Sequence, residues 1–273
     1  EIRMEGGNWT LTIEPSLPTR ATVTVSGNVS GALISLNGAD NVTINGMNDI
    51  AFINEATSGA RVFSLTNGAS NNTIQGCEIS TGSKTSSSNY CIYSSGSDND
   101  TNTFKDNVLT KAYYGIYLSG SSSDFNSGNI IEFNTIGADT NTSGGMDTLL
   151  AKYGIYSFYQ TNLTIKGNTV KNLIYSSVPY GIYANFCNNV VIEDNIVHDI
   201  VYTETFGYGG TGILYGAPSA EPVPGALIMN NIIRAIAGDG DVPNTSNSDG
   251  WNPTGIRLKG TTTGGINIYH NSI

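Results

Sequence analysis

The chain has 273 residues, of which 38% are hydrophobic and only 12% are charged, and its formal net charge is −10. No apolar run reaches the about 18 residues that suggest a transmembrane helix, and glycine does not recur at every third position as collagen requires. We therefore expect no membrane span in this segment. Because an excess of carboxylates repels a phosphate backbone, we also expect no nucleic acid partner.

The first 40 residues predict short strands that open the fold. Apolar and polar residues alternate in "WTLTI" (9–13), "ATVTV" (21–25) and "ALISL" (32–36), with proline and glycine between them. Such short alternation is typical of half-buried strands, so we expect one or two opening coils here. The chain begins without an initiator methionine and stops in mid-strand, which predicts that it is an excerpt of a longer protein.

Residues 41–273 contain one recurring segment, in which an aliphatic residue precedes an asparagine and another aliphatic residue follows it. The copies read "TIQGCEI" (73–79), "TFKDNVL" (103–109), "IIEFNTI" (130–136), "TIKGNTV" (164–170), "VIEDNIV" (191–197), "LIMNNII" (227–233) and "NIYHNSI" (267–273). The asparagines of this column are Asn107, Asn134, Asn168, Asn195, Asn231 and Asn271. An earlier, weaker copy reads "TINGM" (43–47), and Met47 in that copy and Cys77 in the next stand at the position of the asparagine.

A second column precedes the first in each repeat. It reads "YCIY" at 90–93, "YGIY" at 114–117, 153–156 and 180–183, "TGIL" at 211–214 and "TGIR" at 254–257. We expect its isoleucines to stack inside the fold and Tyr93, Tyr117, Tyr156 and Tyr183 to stack on one another. Its glycine is expected where the backbone comes too close to a neighbour for a Cβ atom.

Short strands that repeat with the same residue types predict a solenoid. Each coil cannot bury its inner face alone, so neighbouring coils complete the core. An inward asparagine can bond the asparagine one coil away and tolerates a left-handed backbone, which predicts an internal asparagine ladder. The expected fold is therefore an all-β, single-stranded parallel β-helix of about eight to ten coils, forming a single domain over residues 1–273.

The coil pattern "GI…N…I..N.I" resembles the repeat of right-handed parallel β-helix proteins. More narrowly, "ALISLNGADNVTINGMN" (32–48) followed by "SNNTIQGCEISTG" (70–82) is similar to large bacterial cell-surface repeat proteins, which are typically exported by the type IX route. This resemblance implies a right-handed, extracellular, adhesin-like segment. It implies little about activity, because β-helices serve as lyases, hydrolases, tailspikes, adhesins and stalks.

One row of basic residues could carry chemistry. Three residues after Asn168, Asn195 and Asn231 come Lys171, His198 and Arg234 on consecutive coils, and Tyr175 and Tyr202 follow the first two. Neighbouring coils would place these side chains about 5 Å apart, close enough for a shared catalytic site. The alternative is a solvated face on which basic residues happen to align.

Two aspartate-rich loops could bind calcium, the one cofactor that the chain suggests. The first contains Asp98, Asp100 and Asn102, and the second contains Asp239, Asp241 and Asn244. Alternate oxygen ligands on a loop suit a hard cation, but neither loop has a full EF-hand pattern. The alternative, which these sequences favour, is that both are polar turns.

Loop insertions are predicted near residues 137–152, 202–210 and 236–253. Their aromatic residues either stack on sugars or on a partner protein, or fold back to cover the coil. "DTL" at 147–149 resembles the O-glycosylation site of such surface proteins, with Thr148 as the acceptor.

Taken together, these features predict a structural or adhesive segment of an extracellular bacterial surface protein. Its expected partners are an extracellular glycan, another surface protein, or a second copy stacked end to end as a filament. The alternative is a carbohydrate-active enzyme, a polysaccharide lyase or hydrolase, that uses the basic row. An enzyme would need the loop insertions to wall that row, whereas a stalk would leave it open.

Overall fold

The computed structural model describes residues 10–15, 22–139, 149–216, 225–240, 252–259 and 265–273. Within these ranges the chain consists of strands and turns and contains no helix. Accordingly, the described residues include no helix that is long and apolar enough to cross a bilayer.

Twenty-five strands follow one another along the described chain. The first thirteen are β1 (Leu11–Ile13), β2 (Val23–Gly27), β3 (Gly31–Asn37), β4 (Val42–Asn54), β5 (Ala60–Thr66), β6 (Thr73–Thr81), β7 (Tyr90–Ser95), β8 (Thr103–Lys105), β9 (Val108–Thr110), β10 (Tyr114–Ser119), β11 (Asn126–Ser127), β12 (Ile130–Glu132) and β13 (Thr135–Ile136). The others are β14 (Tyr153–Phe158), β15 (Gln160–Thr161), β16 (Thr164–Lys166), β17 (Thr169–Tyr175), β18 (Tyr180–Asn185), β19 (Val191–Glu193), β20 (Ile196–Tyr202), β21 (Thr211–Gly216), β22 (Leu227–Met229), β23 (Ile232–Ala237), β24 (Thr254–Lys259) and β25 (Asn267–Tyr269).

These strands build a parallel β-solenoid, as predicted. One sheet has eight strands in the order β24-β21-β18-β14-β10-β7-β5-β3, and a longer sheet has fifteen. About six turns are formed in the described part of the chain, fewer than the eight to ten coils predicted. One contribution to the difference is that β1 and β2 both pair with β4, so the opening strands do not add a coil each.

The core is a set of aliphatic columns that run along the solenoid axis. Ile92, Ile116, Ile155 and Ile182 occupy matched positions on adjacent strands and are fully buried, as the repeat predicted. A second fully buried column runs through the longer sheet and consists of Ile74, Phe104, Ile131, Ile165, Ile192 and Ile228. Burial of such side chains stabilises each coil only when its neighbours are present.

Buried asparagines link successive coils along the longer sheet. The Nδ2 atoms of Asn107, Asn134, Asn168, Asn195 and Asn231 each donate to the Oδ1 atom of the next asparagine, the last being Asn271, at 2.9–3.1 Å. Each of these oxygens also accepts the backbone N–H of the preceding asparagine. We call this set the asparagine column.

A shorter set of buried asparagines was missed in the sequence. Asn72 donates to the side chain of Asn102, whose backbone N–H donates to Asn129, and Asn129 donates to Gln160. The signal was present, because the three asparagines directly precede Thr73, Thr103 and Ile130, which open matched strands.

The first copy of the repeat departs from the predicted register. Strand β4 contains an irregularity between Asn45 and Ile50, and it is Ile50 that lies opposite Cys77. Met47, which the spacing placed in the asparagine column, is instead partly exposed in a left-handed conformation. Residues inserted into a strand displace the side chains that follow from their expected face.

The three cysteines, Cys77, Cys91 and Cys187, are free and buried. Burial raises the pKa of Cys77 to about 11 and that of Cys187 to about 12. Because they are buried, the cysteines pack as small side chains of the core. A thiol with a raised pKa is also a poor nucleophile and a poor metal ligand.

Candidate functional site

The basic row lies on adjacent strands of the longer sheet. Lys171 is opposite His198, and His198 is opposite Arg234, on β17, β20 and β23. Tyr175 is opposite Tyr202 in the same pair of strands. The fold therefore brings together the residues that the sequence singled out.

Two of the three basic residues already have acidic partners. Lys171 Nζ lies 2.6 Å from Asp139 Oδ1, and His198 Nδ1 lies 2.5 Å from Asp199 Oδ2. The hydrogen bond from Lys171 and its charge lower the pKa of Asp139. Ion pairs such as these two also occur on solvated protein faces, where they contribute little to stability.

The two tyrosines of the row have separate environments. The ring of Tyr175 meets the edge of Tyr113 at 5.6 Å, and Tyr202 meets Tyr208 at 5.6 Å. Tyr202, the last residue of β20, is only 5% exposed. Phe206 and Tyr208 on the loop at 202–210 are exposed, and Trp251 lies outside the described residues.

The eight-stranded sheet carries a second aromatic feature, which we call the tyrosine array. It consists of Tyr90, Tyr93, Tyr114, Tyr117, Tyr153, Tyr156, Tyr180 and Tyr183 on β7, β10, β14 and β18. The strand register superimposes these residues because each coil repeats the same four-residue motif. Tyr180 is buried, and the other seven are partly exposed.

Rings of the tyrosine array stack along the solenoid axis. Tyr114 stacks on Tyr153 with centroids 4.9 Å apart and planes 3° apart, and Tyr117 stacks on Tyr156 at 4.9 Å and 1°. Within one coil the two rings meet edge to face, as Tyr153 and Tyr156 do at 5.1 Å. The faces are thus occupied by neighbouring tyrosines, so the array can offer a ligand ring edges and hydroxyl groups.

Burial raises the pKa of several phenols of the array. It raises the pKa of Tyr90 to about 12 and raises the pKa of Tyr114 and Tyr153 as well. Neutral phenols donate and accept hydrogen bonds. They do not act as general bases near neutral pH, because only the deprotonated phenolate could accept a proton and a raised pKa keeps the phenol protonated. The array is therefore equipped for recognition rather than for proton abstraction.

A cavity of about 380 Å³ lies beside one end of the array. Its lining consists of Lys152, Tyr153, Ser176, Ser177, Val178, Tyr180, Tyr202 and Tyr208, and we call it the tyrosine cavity. It joins the array to Tyr202 of the basic row and to the exposed ring of Tyr208. No carboxylate is among these described lining residues, so the cavity lacks a paired-acid arrangement for hydrolysis.

Lys152 supplies the positive charge of the tyrosine cavity. Its Nζ lies 5.3 Å from the ring centroid of Tyr153, within the range of a cation–π contact. Partial burial lowers the pKa of its ammonium group. With hydroxyl groups and aromatic walls around it, the cavity can hold a ligand that is rich in hydroxyls or carries a negative charge.

In the first predicted calcium loop, one of the three suggested ligands is buried in the core. Asn102 is fully buried, and its side chain is bonded to Asn72 and to the backbone of Ala69. It cannot serve as a loop ligand without losing these bonds. Asp100 accepts a hydrogen bond from the backbone of Ser127, while the backbone oxygen of Asp98 accepts one from Ser70.

In the second predicted calcium loop, Asp239 accepts a hydrogen bond from the backbone of Gly207 at 2.8 Å. That bond ties Asp239 to the loop that carries Tyr208. Asp241, Asn244 and the predicted acceptor Thr148 lie outside the described residues. Across the described ranges, no group of three or more His, Cys, Asp and Glu side chains is placed to hold a metal ion.

The tyrosine array and its cavity were not singled out as a site in the sequence. The repeated "YGIY" motif predicted stacking of one tyrosine per coil, and the structure shows that both tyrosines stack. The cavity could not be read from the repeat, because Lys152, Ser176 and Tyr208 come from different connections between coils.

Comparison with known proteins identifies the type of fold. The sequence model of one family, described as right-handed beta helix region, matches residues 81–273. Among solved structures, a double mutant of the tailspike protein of E. coli bacteriophage HK620 is similar, with 15% identity and a TM-score of 0.36. The similarity covers 96% of this chain and 51% of the tailspike chain, so this chain spans about half of its length. No match was found among curated proteins.

Proposed function

Because the chain belongs to the right-handed β-helix family, we propose that it is a glycan-binding segment of an extracellular bacterial surface protein. The observation that carries this proposal is the tyrosine cavity, with its aromatic walls, its serines and Lys152. Sugars present both hydroxyl groups and apolar C–H faces, and sites that recognise such ligands combine aromatic rings with a few placed polar groups.

Two further features support this proposal. The segments at 32–48 and 70–82 resemble bacterial cell-surface repeat proteins. We also propose that the asparagine column acts as a structural ladder, which would keep the rod straight and hold the binding face rigid. A rigid face favours binding because less conformational entropy is lost when the ligand binds.

The proposal is tested by calorimetric titration of the chain with neutral and uronate-containing oligosaccharides. Tyr208→Ala removes an exposed ring of the cavity and is expected to weaken binding about tenfold. Tyr269→Ala removes a similarly exposed ring outside the cavity lining and serves as the matched control. Absence of binding to any of these oligosaccharides, or equal effects of the two variants, would overturn the proposal.

The alternative function is a carbohydrate-active enzyme, and one observation favours it. Lys171, His198 and Arg234 stand side by side on three adjacent strands, and Asp199 is close enough to orient His198. Mass spectrometry of the same glycan incubations separates the two functions. Cleavage products that disappear in His198→Ala would assign an enzyme, whereas intact glycans with measurable binding would favour the binding segment.

A further inference from the structure

In seven successive repeats the chain turns a corner at a residue whose backbone is left-handed. This residue always lies three positions after the first residue of a strand of the longer sheet. The residues at this corner are Gly76, Asp106, Phe133, Gly167, Asp194, Asn230 and His270, all with φ between 51° and 65°. Glycine, asparagine and aspartate are the residues that tolerate this conformation. Phe133, with φ of 56°, is the one bulky hydrophobic residue among them.

Burial does not explain the choice of phenylalanine at this corner. The side chain of Phe133 is 52% exposed and is not part of the buried core. A left-handed bulky residue is strained by about 1–3 kcal/mol, and such strain is concentrated at functional sites. An asparagine would relieve the strain and remove an exposed apolar ring at the same time.

The next coil makes room for the ring of Phe133. A Cβ atom on Gly167 would lie 2.6 Å from both Cδ1 and Cε1 of the phenylalanine, far inside contact distance. Glycine at position 167 therefore lets the ring rest against the backbone of the adjacent coil. The ring is supported on one side by that backbone and is open to solvent elsewhere.

The supported ring borders a polar groove of about 360 Å³. Asn45, Gln75, Lys105, Asp106 and Thr135 also line it, and they come from four successive coils. Among the described residues, the side chains of Gln75 and Lys105 have no hydrogen-bond partner. An amide and an ammonium group beside an exposed aromatic ring offer donors, an acceptor and an apolar platform within one groove.

From this arrangement we propose a second carbohydrate site, in which this groove binds a neutral pyranose unit. The apolar face of the sugar lies on Phe133, and its hydroxyl groups bond to Gln75 and Lys105. The site shares its ligand class with the proposed function but not its residues, since the groove belongs to the longer sheet. The strain at Phe133 is then a consequence of presenting the ring to the ligand.

The test uses neutral hexose oligosaccharides in saturation-transfer NMR and calorimetric titration of the whole chain. Phe133→Asn is expected to weaken binding at the groove about tenfold while leaving the melting temperature unchanged or higher. Phe133→Tyr keeps the ring and is expected to bind as the parent does. Phe186→Asn, at another left-handed aromatic position (φ 51°), controls for loss of an unrelated ring.

The same titrations in a Tyr208→Ala background separate this site from the tyrosine cavity. Residual binding that Phe133→Asn abolishes supports the groove. If Phe133→Asn binds as the parent does in both backgrounds, the groove is not a sugar site and the cavity proposal is unaffected. If Phe133→Asn lowers the melting temperature, the phenylalanine serves packing, and the inference is overturned.

Discussion

Asn168 is bonded to Asn195 through its side chain and its backbone together. Its Nδ2 atom and its backbone N–H donate to the same oxygen, Oδ1 of Asn195, at 3.0 and 2.9 Å. Asn134 is bonded to Asn168 in the same double manner. One side-chain oxygen in each coil thus satisfies two donors of the neighbouring coil, which fixes the spacing and register between coils.

Replacing Asn168 by alanine is expected to destabilise the chain by about 2–6 kcal/mol, since two buried groups lose their partners and each costs about 1–3 kcal/mol. The backbone oxygen of Ile131 would lose its donor, and the backbone N–H of Asn134 would lose its acceptor. Denaturant unfolding followed by circular dichroism measures the difference.

Asn267→Ala is the matched control for that measurement. Asn267 is exposed on β25, and its side chain accepts one bond from Tyr269. Its loss is expected to change the unfolding free energy by less than about 0.5 kcal/mol. Equal effects of the two substitutions would contradict a structural role for the asparagine column.

Gly154→Ala is also expected to destabilise the chain, by about 1–3 kcal/mol through overpacking. A Cβ atom at this position would lie 2.4 Å from Val170 Cγ1 and 2.6 Å from the backbone oxygen of Gly181. The glycine is therefore required by close approach between strands. A graded series with alanine and then valine should give progressively lower melting temperatures, and a flat series would refute this explanation.

The sequence predicted those parts of the molecule that repeat. Residues equivalent to Asn168, Asn195 and Ile155 recur with the same neighbours from coil to coil. Stacking of the coils requires these equivalent residues to align. The spacing alone therefore placed Lys171 opposite His198, because both follow a column asparagine by three residues. A regular repeat converts sequence spacing directly into proximity between coils.

Features that depend on departures from the repeat were not predicted. The irregularity after Asn45 moved Met47 out of its expected column, because one strand can absorb extra residues while its neighbour stays regular. The buried set that contains Asn102 does repeat, but the aspartates next to Asn102 suggested a calcium loop there instead. The cavity that includes Lys152 and Tyr208 is formed by connections whose paths the repeat does not determine.

Alkaline pH is expected to unfold the chain through its tyrosines. Burial raises the pKa of Tyr90, Tyr113 and Tyr215 from 10.0 to about 12. Between these values the unfolded chain releases protons that the folded chain retains, so the free energy of unfolding falls as pH rises. Stability should be unaffected by these groups below about pH 10 and should decline through the window up to about pH 12.

Tyrosinate absorbance and circular dichroism, recorded on the same samples, check this expectation. The buried tyrosines should ionise together with loss of the β-sheet signal, and with hysteresis if unfolding is slow. Titration of every tyrosine near its ordinary pKa, with the sheet signal intact, would show that the array does not protect its phenols.

The three cysteines should report unfolding without any added probe. Burial raises the pKa of Cys91 and Cys187, and the backbone oxygens that contact their sulfur atoms lie within the core. Only a thiolate attacks a disulfide reagent, so the native chain should remain unreactive near the usual thiol pKa of about 8.5. In denaturant, all three thiols should react at once with Ellman's reagent.

The dependence of the labelling rate on denaturant then distinguishes local from global opening. Cys77 lies opposite Ile50 on β4, and Cys187 lies between β18 and β19, several coils away. If the solenoid unfolds as one cooperative unit, both thiols react with the same rate at each denaturant concentration. If coils open separately, as nearest-neighbour coupling in repeat proteins allows, the two rates diverge and Cys77→Ser removes only one phase. Rapid labelling of either thiol in the absence of denaturant would contradict its burial in the core.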